Sequence, residues 1–205
     1  MNLIFFIIVF IVLFVLLEIV KKISNIPCEY SRKIAHIFSA VVIVFLPYFL
    51  DKVQLIFLAV FFIILLLISK KAQILKSIHS VERKTWGEIF LPAGSIIAAL
   101  LFLPANLAAF QFGILVMGIS DGLGGIIGLQ LGKHQITWLR NGKTWEGTLT
   151  FFIITFALFI LYFTSPMLGG LVIAFLLTLL EAVLNRGLDN LLIPIVAGYL
   201  IILIP

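Results

Sequence analysis

The chain has 205 residues, of which 63% are hydrophobic and 11% charged, and its formal net charge is +5. Soluble domains carry roughly 25% charged residues, so this composition excludes a water-soluble globular fold, which could not bury so much apolar surface. The single cysteine, Cys28, excludes an internal disulfide and a multi-cysteine metal site. We therefore expect an all-α integral membrane protein whose apolar surface faces lipid.

Eight apolar runs follow one another along the chain, each near the length of about 20 residues that a membrane-spanning helix needs. They cover residues 2–20, 34–50, 53–69, 88–103, 107–131, 147–164, 167–184 and 190–204. Their length and their lack of alternation favour helices over strands. No cleavage site follows the first run, which we interpret as a retained anchor. The sequence predicts one polytopic domain over residues 1–205 with about eight transmembrane helices; whether the short eighth run crosses fully is left open.

The basic residues fall almost entirely in alternate loops. Thirteen of the 14 lysines and arginines lie in the loops that follow the first, third, fifth and seventh runs. Only Lys52 lies in one of the other loops. Basic loops stay in the cytoplasm. We therefore expect both termini on the non-cytoplasmic side of a membrane, and we assign that membrane to the prokaryotic cytoplasmic type.

Two of the predicted cytoplasmic loops are long, at residues 70–87 and 132–146. In the first, Ile74, Leu75, Ile78 and Val81 share one helical face among polar neighbours, which predicts an amphipathic helix on the membrane surface. Such a helix serves either as a surface anchor or as a lid over a lipid-binding groove. The second loop is basic.

Acidic residues inside apolar runs are costly and indicate function. Glu18, Glu88, Asp121 and Glu181 all lie toward the predicted cytoplasmic ends of their helices. Local pairing near the interface accounts for Glu18. Asp121 lies about 21 Å along its helix from Leu107, which leaves about 9 Å of a ~30 Å core, too deep for a short side chain to reach water. The four acids predict one polar site that opens to the cytoplasm.

Asp121 lies within a glycine-rich segment, residues 118–128. Glycines recur at four-residue spacing, at 124, 128 and 132 and at 118 and 122. Such stripes let membrane helices pack closely, which accounts for the glycines but not for the aspartate. A carboxylate that faces a basic loop suits a magnesium ion holding phosphates.

Basic residues stand at three predicted helix starts. Lys143, with Thr144 as a possible N-cap, forms a helix N-terminus suited to phosphate, although simple flanking charge also explains it. The segment Lys84–Glu88 opens the fourth run as Lys143–Gly147 opens the sixth, which favours two similar polar corners around one site. Arg32 and His36 share one face of the second helix and could meet phosphate. His36 could also act as an acid or base or be purely structural.

Taken together, these segments resemble the polyprenol and lipid-alcohol kinase family, which includes dolichol kinase, phytol kinase and the CTP-dependent diacylglycerol kinase. The resemblance is carried by Ser31–His36, Arg83–Pro92, Gly118–Gly128, Gly132–His134, Lys143–Gly147, Glu181 and Gly187–Asn190. It covers most of the chain in the family's order. Thr144 stands where the family often has serine, and family members are commonly longer, so we expect a compact version.

The resemblance implies transfer of the γ-phosphoryl group of a nucleoside triphosphate, typically CTP, to a primary hydroxyl of a polyprenol-type, phytol-type or diacylglycerol lipid, with Mg²⁺. Its implied partners are the lipid alcohol, the nucleotide and the bilayer, with no nucleic acid; the oligomeric state is left open. The expected catalytic residues are Asp121, His36 and Glu146, and the expected metal ligands are Asp121 and Asp189. The expected phosphate-binding residues are Arg32, Lys33, Arg83, Lys84, Lys133, Lys143, Thr144, Gly122 and Gly125. Glu88, Glu181, Asp189 and Asn190 complete the expected polar site.

Two alternatives remain at this stage. One is a CTP:phosphatidate cytidylyltransferase-like enzyme, although its dense Lys-Asp and Asp-Arg signature near the C-terminus is not found. The other is a small membrane transporter, against which the apolar outer halves of all predicted spans argue. The soluble nucleotide-binding loop G-x-x-x-x-G-K-[ST] does not occur in the chain.

Overall fold

The helices follow the apolar runs closely. The computed structural model describes residues 2–24, 26–75, 77, 85–139, 142–164 and 166–203, and these ranges contain nine α-helices and no strand. The helices are α1 Asn2–Ser24, α2 Cys28–Phe45, α3 Lys52–Lys71, α4 Gly87–Phe102, α5 Leu107–Leu115, α6 Asp121–Leu131, α7 Trp145–Tyr162, α8 Met167–Val183 and α9 Asp189–Leu203. Each apolar run matches one helix, except that the run 107–131 forms both α5 and α6.

The all-α fold is confirmed for the described residues, and its long apolar helices are consistent with a membrane protein. Within the described ranges, five helical segments are long and apolar enough to cross a membrane: Asn2–Ser24, Cys28–Tyr48, Lys52–Lys71, Leu107–Leu131 and Trp145–Tyr162. The helices α4, α8 and α9 are apolar but shorter. Large apolar side chains on the outer faces are exposed, for example Phe5, Leu161 and Leu168, as lipid contact requires. The number of complete crossings and the side of the termini stay predictions.

The α5–α6 segment forms the centre of the molecule. It is one helical rod, Leu107–Leu131, interrupted only by a π-helical turn at Val116–Ser120. Phe110, Phe112 and Ile114 are fully buried. The rod packs against α2, α7 and α9, and α4 packs against α9 and α3. Every other helix that carries a predicted site residue therefore contacts the rod or a direct neighbour of it.

The glycine stripes of the rod allow two close helix contacts. A Cβ atom at Gly118 would lie 1.9 Å from the Cβ of Ala40 on α2. A Cβ atom at Gly124 would lie 2.9 Å from the carbonyl oxygen of Gly147 on α7. Since real Cβ atoms do not approach other atoms so closely, the two stripes bring the two helices to the rod at backbone distance.

Helix α1 packs through a single stripe of large apolar residues. Its buried residues are Phe6, Phe10, Phe14 and Leu17. The Phe10 and Phe14 rings lie 5.0 and 5.9 Å from the ring of Phe62 on α3. Near its end, Glu18 accepts a hydrogen bond of 2.8 Å from the backbone N–H of Ser77, in line with the local role expected for this acid.

The chain leaves α3 in a turn. Gln73 and Leu75 both have φ of 55°, so Ile74 and Leu75 are not helical. The rest of the predicted amphipathic helix, at 76 and 78–84, lies outside the described residues, as do the predicted phosphate-binding residues Arg83 and Lys84. The helix therefore stays a prediction.

Candidate active site

A polar cavity of about 340 Å³ lies where α2, α6, α7, α8 and α9 meet. Its charged and imidazole side chains are Glu29, Arg32, Lys33, His36, Asp121, Lys143, Glu181, Arg186 and Asp189. These residues come from four separate segments of the sequence, and most of them were predicted as parts of one site. The fold thus places ionisable groups together in an otherwise apolar protein.

Asp121 is paired with a buried cation. The Lys33 ammonium lies 2.6 Å from Asp121 Oδ2 and also donates to the Asp121 carbonyl oxygen at 3.1 Å. Both side chains are less than a tenth exposed. The stem of Lys33 passes Gly125, where a Cβ atom would lie 2.4 Å from Lys33 Cε. Gly125, predicted as a phosphate-binding residue, therefore also provides space for the lysine.

His36 contacts the rod at its π-helical turn. In a regular α-helix the Asp121 N–H would donate to the Met117 carbonyl, but here it donates to the carbonyls of Gly118 and Val116. The Met117 carbonyl instead lies 2.9 Å from His36 Nε2. Because a carbonyl only accepts, Nε2 must donate, which leaves Nδ1 as the ring nitrogen that can take up a proton. His36 Nε2 also lies 3.6 Å from Asp121 Oδ2.

A second lysine–acid pair closes the other side of the cavity. Lys143 contacts both the carboxylate and the backbone carbonyl of Glu181. The second carboxylate oxygen of Glu181 is buried and has no hydrogen bond within the described part of the chain. Thr144 is the N-cap of α7, as predicted, and its hydroxyl accepts from the Gly147 N–H at 3.2 Å.

The start of α9 forms the third wall. Asn190 donates from Nδ2 to the Gly87 carbonyl at 2.8 Å, while its buried Oδ1 has no hydrogen bond among the described residues. The preceding turn presses against the start of α4: a Cβ at Gly187, whose φ is +91°, would lie 2.4 Å from the Gly87 nitrogen. Only glycine suits that backbone and that contact, and the turn brings Asp189 to the cavity.

Arg32 has an acidic partner that the sequence analysis missed. Its Nε and Nη2 atoms donate to Glu29 Oε2 at 3.1 and 2.7 Å. The three-residue spacing of Glu29 and Arg32 on one helix is a signal that could have identified the pair. The missed Arg186 and Asn185 line the cavity from the turn before α9.

Of the predicted site residues that the structure describes, four do not line this cavity. Glu146 accepts from the Lys133 and His134 N–H groups at 3.1 and 3.3 Å and contacts the His134 ring at 2.8 Å, so it braces the loop after α6. Lys133 is exposed.

A Cβ at Gly122 would lie 2.3 Å from Ile37 Cγ1, which makes Gly122 a helix-packing residue. The carboxylate of Glu88 is paired with Lys70 at 2.7 Å and faces a second cavity.

The second cavity is apolar and adjoins the first. It measures about 80 Å³ and lies between α1, α2, α3 and α4. Arg32, His36 and Asn190 line both cavities. A molecule with a polar head and an apolar body could therefore contact both at once.

The cavity residues fit a magnesium ion that is shared with a substrate. No group of three or more His, Cys, Asp or Glu residues converges as a metal site within the described ranges. Magnesium, however, usually takes one or two protein carboxylates and completes its shell with water and phosphate oxygens. Asp121 and Asp189 line the same cavity and offer such oxygen donors.

Comparison with known proteins gives two relatives. The chain is 30% identical over 180 residues to a phytol kinase of Synechocystis sp., a match that covers 84% of this chain and 75% of that protein. It is 37% identical over 119 residues to an uncharacterized protein of Methanocaldococcus jannaschii, covering 56% of this chain and 57% of that protein. No family model matches the chain. No solved structure matches it either.

Proposed function

We propose that this chain, which belongs to the polyprenol and phytol kinase family, transfers the γ-phosphoryl group of CTP to the primary hydroxyl of an isoprenoid alcohol at the cytoplasmic face of the membrane. The observation that carries this proposal is the buried polar cavity, in which Lys33, Lys143 and Arg32 stand beside Asp121 and Glu181. Membership of a kinase family argues against the transporter alternative.

The cations of the cavity bind the triphosphate. Phosphoryl transfer depends mainly on positioning and on neutralising negative charge. Arg32 and Lys143 contact phosphate oxygens by exchanging part of their contact with Glu29 and Glu181 for the nucleotide. The N-terminus of α7, beside Thr144, adds backbone N–H groups that favour an anion.

Asp121 and Asp189 would hold Mg²⁺ as carboxylate ligands from two walls of the cavity. Bound there, the ion would supply charge neutralisation for the phosphates. Two carboxylates with water and phosphate as further ligands are the usual surroundings of this ion. Lys33 offsets the charge of Asp121 when the nucleotide is absent.

His36 is the base in this proposal. The acceptor hydroxyl oxygen forms a bond to the γ-phosphorus while the bond from that phosphorus to the β–γ bridging oxygen breaks. The hydroxyl proton passes to His36 Nδ1, because Nε2 is engaged with the Met117 carbonyl. The products are a lipid monophosphate and CDP.

The direct test follows label from donor to lipid. The purified protein is incubated with Mg²⁺, γ-labelled CTP or ATP, and phytol, geranylgeraniol, dolichol, undecaprenol or diacylglycerol. We expect label in the isoprenoid alcohols, with CTP preferred over ATP. An Asp121→Asn preparation is the control for contaminating kinases, and its transfer should fall by about 100-fold or more.

Two outcomes would contradict the proposal. Label in none of the lipids would exclude a lipid-alcohol kinase. Lipid label from α-labelled CTP, with phosphatidate as acceptor, would instead establish the cytidylyltransferase reaction.

A further inference from the structure

The apolar cavity between α1, α2, α3 and α4 has its polar groups at one end. Arg32, His36, Glu88 and Asn190 line the end that adjoins the polar cavity. Beyond them, the walls are formed mainly by aromatic and aliphatic side chains, among them Phe14, Leu58 and Phe62, with the hydroxyls of Ser39 and Ser95 as the polar groups there. The polarity therefore falls from the site of phosphoryl transfer toward the opposite end of the cavity.

The cavity extends along α2 to the far end of that helix. His36 and Leu46 both line it and are ten residues apart, which corresponds to about 15 Å of helix. Leu46 and Leu55, which are almost fully buried, are the lining residues at the end of α2 and the start of α3. The cavity is thus elongated, with polar groups at one end and buried leucines at the other.

We propose that this cavity binds the hydrocarbon tail of the acceptor alcohol, with the hydroxyl beside Arg32, His36 and Asn190 and with Leu46 and Leu55 limiting the length of the tail. This inference rests on the proposed function. It adds to that function where the lipid tail binds and which tail lengths are preferred. A nucleoside does not suit this cavity, because its polar edges would lack partners along the apolar walls.

Tail length is discriminated by shape. A tail that moves from lipid into an apolar cavity gains little hydrophobic energy, since both surroundings are apolar. Binding then depends on how well the side chains enclose the tail. We therefore expect short isoprenoid alcohols, such as farnesol and geranylgeraniol, to be preferred over the much longer dolichol and undecaprenol.

Photo-crosslinking locates the tail without relying on catalysis. The probe is geranylgeraniol with a diazirine at the end of its tail, and crosslinked peptides are mapped by mass spectrometry. We expect crosslinks at Leu55–Ala59, suppressed by excess unlabelled geranylgeraniol. A second probe with the diazirine next to the hydroxyl should crosslink at Ala35–Ser39. Crosslinks confined to exposed residues such as Leu161, or insensitive to competition, would overturn the inference whether or not the protein transfers phosphate.

A filling substitution tests the length limit. Ala59 is half-buried on α3 and lines the cavity, whereas Ala93 is equally half-buried on α4 and does not. Ala59→Phe should raise KM for geranylgeraniol by about tenfold and suppress the tail-end crosslink. Its KM values for geraniol and CTP should be unchanged. The control variant Ala93→Phe should match the wild type in all of these measurements.

The outcomes separate the two proposals. If no alcohol is phosphorylated but the tail-end crosslink is competed and is lost in Ala59→Phe, the kinase assignment fails and the tail site stands. If transfer occurs but Ala59→Phe affects neither the crosslink nor KM, or affects geraniol and geranylgeraniol equally, the tail site fails and the kinase assignment stands.

Discussion

At the scale of single residues, the buried pair of Lys33 and Asp121 joins stability to activity. Removing one partner of a buried pair leaves an uncompensated charge and costs about 3–5 kcal/mol, whereas replacing both by apolar residues of similar volume is often neutral. We expect Lys33→Met to be strongly destabilised and the double variant Lys33→Met with Asp121→Leu to recover most of the loss. Thermal unfolding in detergent measures this.

Both variants should also lose phosphoryl transfer. A double variant that is stable and inactive would separate the role of the pair in catalysis from its role in folding. A double variant as unstable as Lys33→Met would show that the pair is needed for folding, and an active one would remove Asp121 from the metal site.

His36 allows a second test at the same scale. His36→Gln keeps a side-chain donor for the Met117 carbonyl but cannot take up a proton, so kcat should fall by about 10²–10⁴-fold with KM for CTP little changed. His134→Gln is the matched control, because that exposed histidine contacts Glu146 outside the cavity. Steady-state kinetics on both variants measures this difference. A near-normal kcat in His36→Gln would rule out His36 as the base.

At the scale of elements, the contact of α2 with the central rod sets the distance between His36 and Asp121. Gly118→Ala would place a methyl group against Ala40 and push α2 away, at a cost of about 1–3 kcal/mol. Adding Ala40→Gly should restore the spacing between the helices and most of the activity. The double variant should remain about 1 kcal/mol less stable than the wild type, because glycine is unfavourable within a helix. Activity and unfolding temperature are compared in the two variants, and a double variant no better than Gly118→Ala would refute this account.

The helices themselves were largely predictable, for a physical reason. Lipid requires about 20 continuous apolar residues per crossing, and such runs are visible in the sequence without any tertiary information. The π-helical turn at Val116–Ser120 was not predictable, because the residue types in this segment suit an α-helical turn equally well. The turn packs against α2, α7 and α9, and these tertiary contacts cannot be read from the sequence.

The site was predictable in its location but not in its pairs. Acids at similar depth indicated a shared cavity, and Asp121, His36 and Lys143 line it. Nothing in the sequence relates Lys33 to Asp121, which lie 88 residues apart. Glu146 was expected in the cavity because its segment repeats that of Glu88, but the nearby N–H groups of the 132–134 loop bind it instead.

At the scale of the whole molecule, the one-sided basic residues make the orientation testable. Cys28 is the only cysteine, so a Cys28→Ser background permits single reporter cysteines. Gln135→Cys, within the basic loop 132–146, should react with a membrane-impermeant maleimide only from the cytoplasmic side, and Ala105→Cys only from the opposite side. Labelling intact cells and inverted vesicles gives the answer; both reporters reacting from the same side would contradict the eight-span topology.

The π-helical turn also determines which genetic changes the protein can survive. A π-helical turn holds one residue more than an α-helical turn, so deleting one codon between Val116 and Ser120 would leave a regular α-helix in which the later side chains keep their directions. Asp121 would still face Lys33, and Gly124 would still face Gly147, but no carbonyl of the turn would be left over for His36 Nε2. The fold and the walls of the cavity would therefore survive this deletion, whereas the hydrogen bond that orients His36 would be lost.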